Sequence, residues 1–138
     1  MDKALNYLAL ARKAGFAELG EEPVGGAARS GKAYVILVAS DASDHTWRRA
    51  KSFAAGTDQQ CIRLPFTKDQ MGFTTGRQEL AIAAITDIGM ALALAKSLGE
   101  PEKHKAVLEA LTLKADRAKR RQKEAQAHKK NVAKGKKK

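Results

Sequence analysis

Several groups of residues in this 138-residue chain have the types and spacing to act on an anion or a nucleobase. Gly20-Glu21-Glu22 precedes Pro23 at what reads as the start of a helix. A helix N-terminus offers unpaired N–H groups and partial positive charge to a phosphate. Glu21 and Glu22 there would instead accept hydrogen bonds from exposed guanine edges, or simply complement the helix dipole. Arg29 and Lys32 flank Gly31 near the end of the same helix, where cations either contact phosphates or complement the dipole. Arg77 follows Gly76 on a loop, and loops carry function more often than packed elements do. Lys119, Arg120 and Arg121 belong to a run, Arg117 to Lys138, with eleven basic residues against the single acid Glu124. Such a run attracts any polyanion, with steep salt dependence and little sequence preference.

Catalytic constellations are not expected. His45, His104 and His128 share no paired spacing, and Cys61 falls on an apolar strand, where thiols are inert. Asp41 and Asp44 follow a strand, but helix capping accounts for both. No phosphate-binding or dinucleotide-binding glycine motif is present. Arg48, Arg49 and Lys51 read as a solvated helix face, and Trp47 as a half-buried helix residue. The single cysteine excludes a disulfide framework and a cysteine-only metal cage. The expectation is a non-enzyme with no cofactor and no metal.

The elements that must position these residues alternate between helix and strand. Asp2 to Ala14 is amphipathic and stops at Gly15, and a second helix runs from Gly20 to Ser30. Tyr34 to Ala39 is a continuous apolar run, the mark of a strand covered on both faces. A helix from Ser43 to Ala55, a strand over Cys61 to Leu64, a short helix over Thr67 to Thr75 and a strand over Leu80 to Ile85 follow. Thr86-Asp87 caps a helix from Ile88 to Leu98. This order predicts an α/β sandwich with a mostly parallel central sheet.

The charge is unevenly spread. Residues 1–99 carry 12 Lys or Arg and 10 Asp or Glu, against 14 and 5 in residues 100–138, and the whole chain has a net charge of +11. Gly99-Glu100-Pro101 marks the boundary between a near-neutral domain (1–99) and a basic extension (100–138). Within the extension, Val107, Leu108, Leu111, Ala115 and Ala118 give weak helical periodicity to about residue 118, and the remainder is expected to be disordered when free. No apolar run is long enough to span a bilayer and no secretion signal is evident, so the expected compartment is the cytoplasm.

Leu8-Ala9-Leu10-Ala11-Arg12-Lys13-Ala14-Gly15, Gly20-Glu21-Glu22, Arg29-Ser30-Gly31-Lys32-Ala33, Ala39-Ser40-Asp41-Ala42-Ser43, Met71-Gly72 with Gly76, and Ala84-Ile85-Thr86-Asp87 form an ordered set over residues 4–95. Their order and spacing resemble the ribosomal protein L-seven-Ae/L-thirty-e superfamily of kink-turn RNA-binding proteins, and within it the bacterial YlxQ-like branch. The basic extension lies outside the resemblance. The resemblance implies a three-layer α/β/α sandwich and RNA binding without catalysis. In classical members an asparagine, a glutamate and a lysine at the start of the second helix read tandem G·A pairs. Those positions hold Glu22, Pro23 and Gly26 here, of which Glu22 is similar to the bacterial branch. The turn Arg77-Gln78-Glu79-Leu80 falls where the family has its second RNA-facing loop, which adds Gln78 to the candidates.

The chain is therefore expected to bind structured RNA, kink-turn-like or ribosomal, in ribosome assembly or translation, with ribosomal or translation proteins as further partners and no membrane partner. The domain would recognise shape, and the extension would add nonspecific phosphate affinity. The alternatives are a protein-interaction module tethered to RNA by its tail, and a nucleoid-associated DNA binder.

Overall fold

The computed structural model describes residues 2–136, with side-chain surroundings up to residue 129. Helix α1 (Lys3–Ala14) starts where the Ala4 N–H donates to Asp2 Oδ1 at 2.7 Å, and ends at Gly15 in the left-handed region. Strand β1 (Ala17–Leu19), α2 (Glu21–Arg29), β2 (Val35–Val38), α3 (Asp44–Ala54) and β3 (Gln60–Arg63) follow. Then come α4 (Lys68–Thr75), β4 (Ile82–Ile85), α5 (Ile88–Ser97) and α6 (Lys105–Lys136). The capping residues stand where the composition places them. Ser43 Oγ accepts from the Thr46 N–H, Thr67 and Gln70 form a reciprocal capping box, and Asp87 accepts from the Met90 N–H.

The four strands form one sheet in the order β1-β4-β2-β3, and it is mixed rather than mostly parallel. Only β2 and β3 are parallel, while β4 runs antiparallel to both β1 and β2. The reason lies in the connection through α4. The Leu80 N–H donates to the Lys68 carbonyl at 3.0 Å, so the chain returns to where α4 began before it enters β4. β4 therefore starts at the end of the sheet where β3 finishes and must run the other way. Apolar run length reports burial on two faces and carries no information on direction. β1 has no counterpart among the expected elements. It is three residues long and exists through pairing with β4, with Ala17 opposite Ile85 and Leu19 opposite Ala83.

Every residue of β2 and of β4 is buried. Successive strand side chains point to opposite faces, so helices must cover both sides of the sheet. α2 and α3 pack on one another and on the strands, while α1, α4, α5 and α6 form the second linked set. Of the glycines, Gly72 is the one a neighbour requires. A Cβ there would lie 2.6 Å from Glu79 Cα and 2.8 Å from Glu79 N, so the return from α4 to β4 is packed directly on it. A Cβ on Gly25 would lie 3.0 Å from Phe53 Cζ, whereas one on Gly26 would meet open space.

The segment expected to be disordered beyond residue 118 is helical. α6 is continuous over 32 residues, about 48 Å, to Lys136, and Lys137 and Lys138 lie outside the described residues. Its composition explains this. From Glu102 to Lys134 there is no Gly or Pro, and Ala, Lys, Arg, Gln and Glu are strong helix formers. Tertiary packing nucleates the helix, because Leu111 is fully buried in the domain core and Val107 and Leu108 pack against that core. The first turns of α6 thus share the core of residues 1–99, while residues 119–129 are all exposed.

Three substitutions test this packing. Gly72→Ala should destabilise the fold by about 3 kcal/mol in urea unfolding, because the new methyl meets backbone rather than a movable side chain. Gly26→Ala, with nothing within 4 Å, should stabilise it by about 1 kcal/mol, and equal effects at the two positions would contradict the packing. Leu111→Ala should cost about 2–5 kcal/mol in the same measurement. A change within about 0.5 kcal/mol would mean that α6 is not part of the core.

Candidate nucleic-acid interface

The sheet has two ends, and the candidate residues divide between them. The C-terminal ends of β1, β2 and β3 meet the N-terminal end of β4 at one end, where Gly20 lies. α2 runs from there to the opposite end, where Gly31 and Lys32 precede β2.

At the first end, Gly20 stands at φ 96°, a backbone conformation that suits glycine, and its N–H donates to the Ile82 carbonyl at 3.0 Å. β4 thereby anchors the entry to α2. The Val24 N–H donates to the Gly20 carbonyl and Pro23 has no N–H, so the N–H groups of Glu21 and Glu22 are the ones left open at this helix start. The Arg77 guanidinium lies against this point, since a Cβ on Gly20 would sit 3.5 Å from Arg77 Nη1. The Arg12 side chain approaches from α1, where a Cβ on Gly76 would sit 3.9 Å from Arg12 Nη2. One turn before Gly76, Phe73 is 80% exposed, an unusual degree for an aromatic ring. Gln78 is exposed on the adjoining turn.

Glu21 is not free to meet a base, because it accepts from Arg49 Nε at 2.8 Å. Both partners are substantially exposed, so the pair orients side chains more than it stabilises the fold. Arg49 also lies over the Phe53 ring at 5.1 Å. Glu22 is exposed. The corner thus brings together Gly20, Glu21, Glu22, Arg77 and Gln78, as the sequence places them, and adds Arg12, Arg49 and Phe73. Nothing in the spacing of Arg12 pointed here, because it is brought by packing of α1 on α4. Phe73 carried a weak signal, as an aromatic ring out of phase with Met71 and Thr75, which are the buried positions of α4.

The remaining candidates lie elsewhere. Arg29 folds back along α2, its Nη1 3.1 Å from where a Gly25 Cβ would stand. Lys32 lines a shallow concavity with Gly15, Glu18, Ser30 and Thr86. The two cations flanking Gly31 therefore do not act as a pair. Lys119, Arg120 and Arg121 are exposed on α6 beyond its packed turns, away from the Gly20 corner. Trp47 is half-buried against the core, with Lys51 and Arg63 at 5.5 Å and 5.1 Å from its ring.

Asp41 accepts from the Lys68 N–H at 2.8 Å and so supports the start of α4, while Asp44 occupies the first turn of α3. Burial pushes the Cys61 thiol up to about 11, against a smaller opposing effect of Lys51. It is therefore protonated at neutral pH. Among the described residues, no group of three or more His, Cys, Asp or Glu is placed to hold a metal ion, and no helix is long and apolar enough to cross a membrane.

No family model matches this chain, and no curated protein matches it. Its fold does occur among solved structures. It is similar to a protein of unknown function from Bacillus halodurans C, at 25% sequence identity and a TM-score of 0.67, over 72% of this chain and 100% of that one. It is also similar to the Giardia lamblia 15.5kD RNA binding protein, at 17% identity and a TM-score of 0.54, over 75% of this chain and 85% of that one. The second likeness is one of fold: this mixed α/β architecture is shared with an RNA binding protein.

Proposed function

We propose that this chain is a non-catalytic cytoplasmic protein that binds structured RNA, kink-turn-like or ribosomal, at the Gly20 corner, and serves ribosome assembly or translation. The observation that carries this reading is the convergence of Arg77 and Arg12 on two glycine turns beside an open helix N-terminus. Two guanidinium groups there can each take phosphate oxygens in bidentate fashion. The Glu21 and Glu22 N–H groups add donors aimed the same way. Glu22 can accept from the edge of an unstacked base, and the exposed Phe73 ring, one turn before Gly76, offers a face on which a base can stack. The fold shared with the Giardia lamblia RNA binding protein supports RNA as the partner, as does the resemblance in residues 4–95 described above.

Glu22, Pro23 and Gly26 stand where classical kink-turn readers are expected to carry asparagine, glutamate and lysine. Recognition here would accordingly rest on shape and phosphate placement more than on reading the G·A pairs.

The test is binding of the full chain to a kink-turn RNA and to its straightened duplex, at about 50 to 200 mM salt. The kinked RNA should bind more tightly. Arg77→Ala and Arg12→Ala should each lower affinity and reduce the salt slope by about 1. Phe73→Ala should cost about 1–3 kcal/mol on the kinked RNA. Unchanged affinity and slope in both arginine variants would sink the proposal.

A further inference from the structure

At the end of the sheet opposite the Gly20 corner, α6 crosses a cleft lined by Gly31, Tyr34, Asp58, Lys114, Arg117 and Arg121. Lys114 is what docks the helix. Its Nζ lies 3.0 Å from Asp58 Oδ1 and 5.2 Å from the centre of the Tyr34 ring. The hydrogen bond from Lys114 holds the Asp58 carboxyl below its ordinary range, so the acid is ionised and already paired rather than left to repel an anion. Arg117 and Arg121 form no ion pair among the described residues, and both are exposed. They are one helical turn apart, about 6 Å along the axis, on the face that Lys114 presents to the domain. Two open guanidinium groups in series on a rigid rod suit successive charges of a polymer better than one small anion.

The position of this cleft matters as much as its charge. The Gly20 corner adjoins β1 and the cleft adjoins the start of β3, which are the two edges of the sheet. The corner and the cleft are also at opposite ends of α2. Along the helix and across three strand spacings, the separation is roughly 20 Å.

We infer that the cleft between α6 and the Gly31–Tyr34 turn is a second site for an RNA backbone, and that the chain bridges two RNA segments held at diagonally opposite corners of the sheet. The bridge rests on the reading of the Gly20 corner as an RNA site, whereas the cleft does not. On this view α6 is a fixed arm that sets the angle between two bound segments. An electrostatic tail would give attraction alone.

The experiment uses the full chain, with donor- and acceptor-labelled copies of the same kink-turn RNA mixed at less than one protein per two RNAs. Energy transfer between copies reports bridging, and the salt slope reports phosphate contacts. Arg117→Gln with Arg121→Gln is compared with Lys119→Gln with Lys123→Gln, which removes the same charge at the same spacing from residues that line neither the cleft nor the neighbouring concavity of Arg117 and Arg121. All four positions are exposed and Gln keeps the helix, so thermal melting should not change. The cleft pair should lose the transfer and lower the salt slope by about 2, while the lysine pair keeps the transfer. Equal effects of the two pairs, or transfer that survives in the cleft pair, would overturn the cleft as a site. If Arg77→Ala keeps the transfer that the cleft pair loses, the corner reading and the bridge both fall.

Discussion

The antiparallel ladder between β2 and β4 is the constraint on which the rest depends. Val35 faces Ile85 and Val38 faces Ile82 across it, and all eight of its residues are buried. Both faces of this ladder must be covered, which draws helices to each side and makes the sheet a middle layer. Its direction also decides where the loops go. β4 enters at the Gly20 end and leaves at the Gly31 end, so the turn carrying Arg77 and the entry to α2 share one corner. The Gly20 N–H bond to Ile82 ties the candidate interface directly to the ladder.

Around this frame, charge and packing are kept apart. Leu111 in the core, with Val107 and Leu108 against it, holds the first turns of α6 on the domain. The exposed turns over residues 119–129 carry five Lys or Arg against the single acid Glu124, and these cations repel one another and favour an extended rod over a collapsed one. Dense positive charge would destabilise a packed surface, but on an isolated helix it meets solvent on every side. The Lys114–Asp58 pair stands at the junction, with Lys114 largely covered. One acid there offsets one cation of α6.

The Gly20 corner mixes signs in a way that favours selectivity over raw attraction. Arg12 and Arg77 bring positive charge, while Glu21 and Glu22 lie in the first turn of α2. Arg49 compensates Glu21 and leaves Glu22 as the exposed acceptor. A purely cationic corner would hold any backbone, whereas an acceptor among donors penalises a phosphate placed wrongly.

How much of this was legible from residue order varies with the range of the interaction. Local rules placed four of the six helix starts, because Asp2, Ser43, Thr67 and Asp87 act within three residues of themselves. The buried runs at Val35 and Ile82 were equally plain from their composition. Gly20, Glu21, Glu22, Arg77 and Gln78 were legible as candidates. Strand direction was not, because it depends on the Leu80–Lys68 closure. β1 was not, because its three residues form a strand only against β4. Arg12 and Arg49 were not, because neighbours distant in sequence bring them to the corner, and Phe73 carried only a weak signal, an aromatic ring out of phase with the buried positions of α4. Beyond residue 118 the extension reads as disordered, because its charge and scarcity of large apolar residues oppose ordering of a free chain, whereas the packing of Leu111 into the domain core starts a helix that strong helix formers then continue. The residue order alone thus determined the types of most elements before residue 100, four helix caps and overall charge, which are short-range or summed properties. Tertiary packing alone decided which charges face one another, since that depends on contacts between residues far apart along the chain.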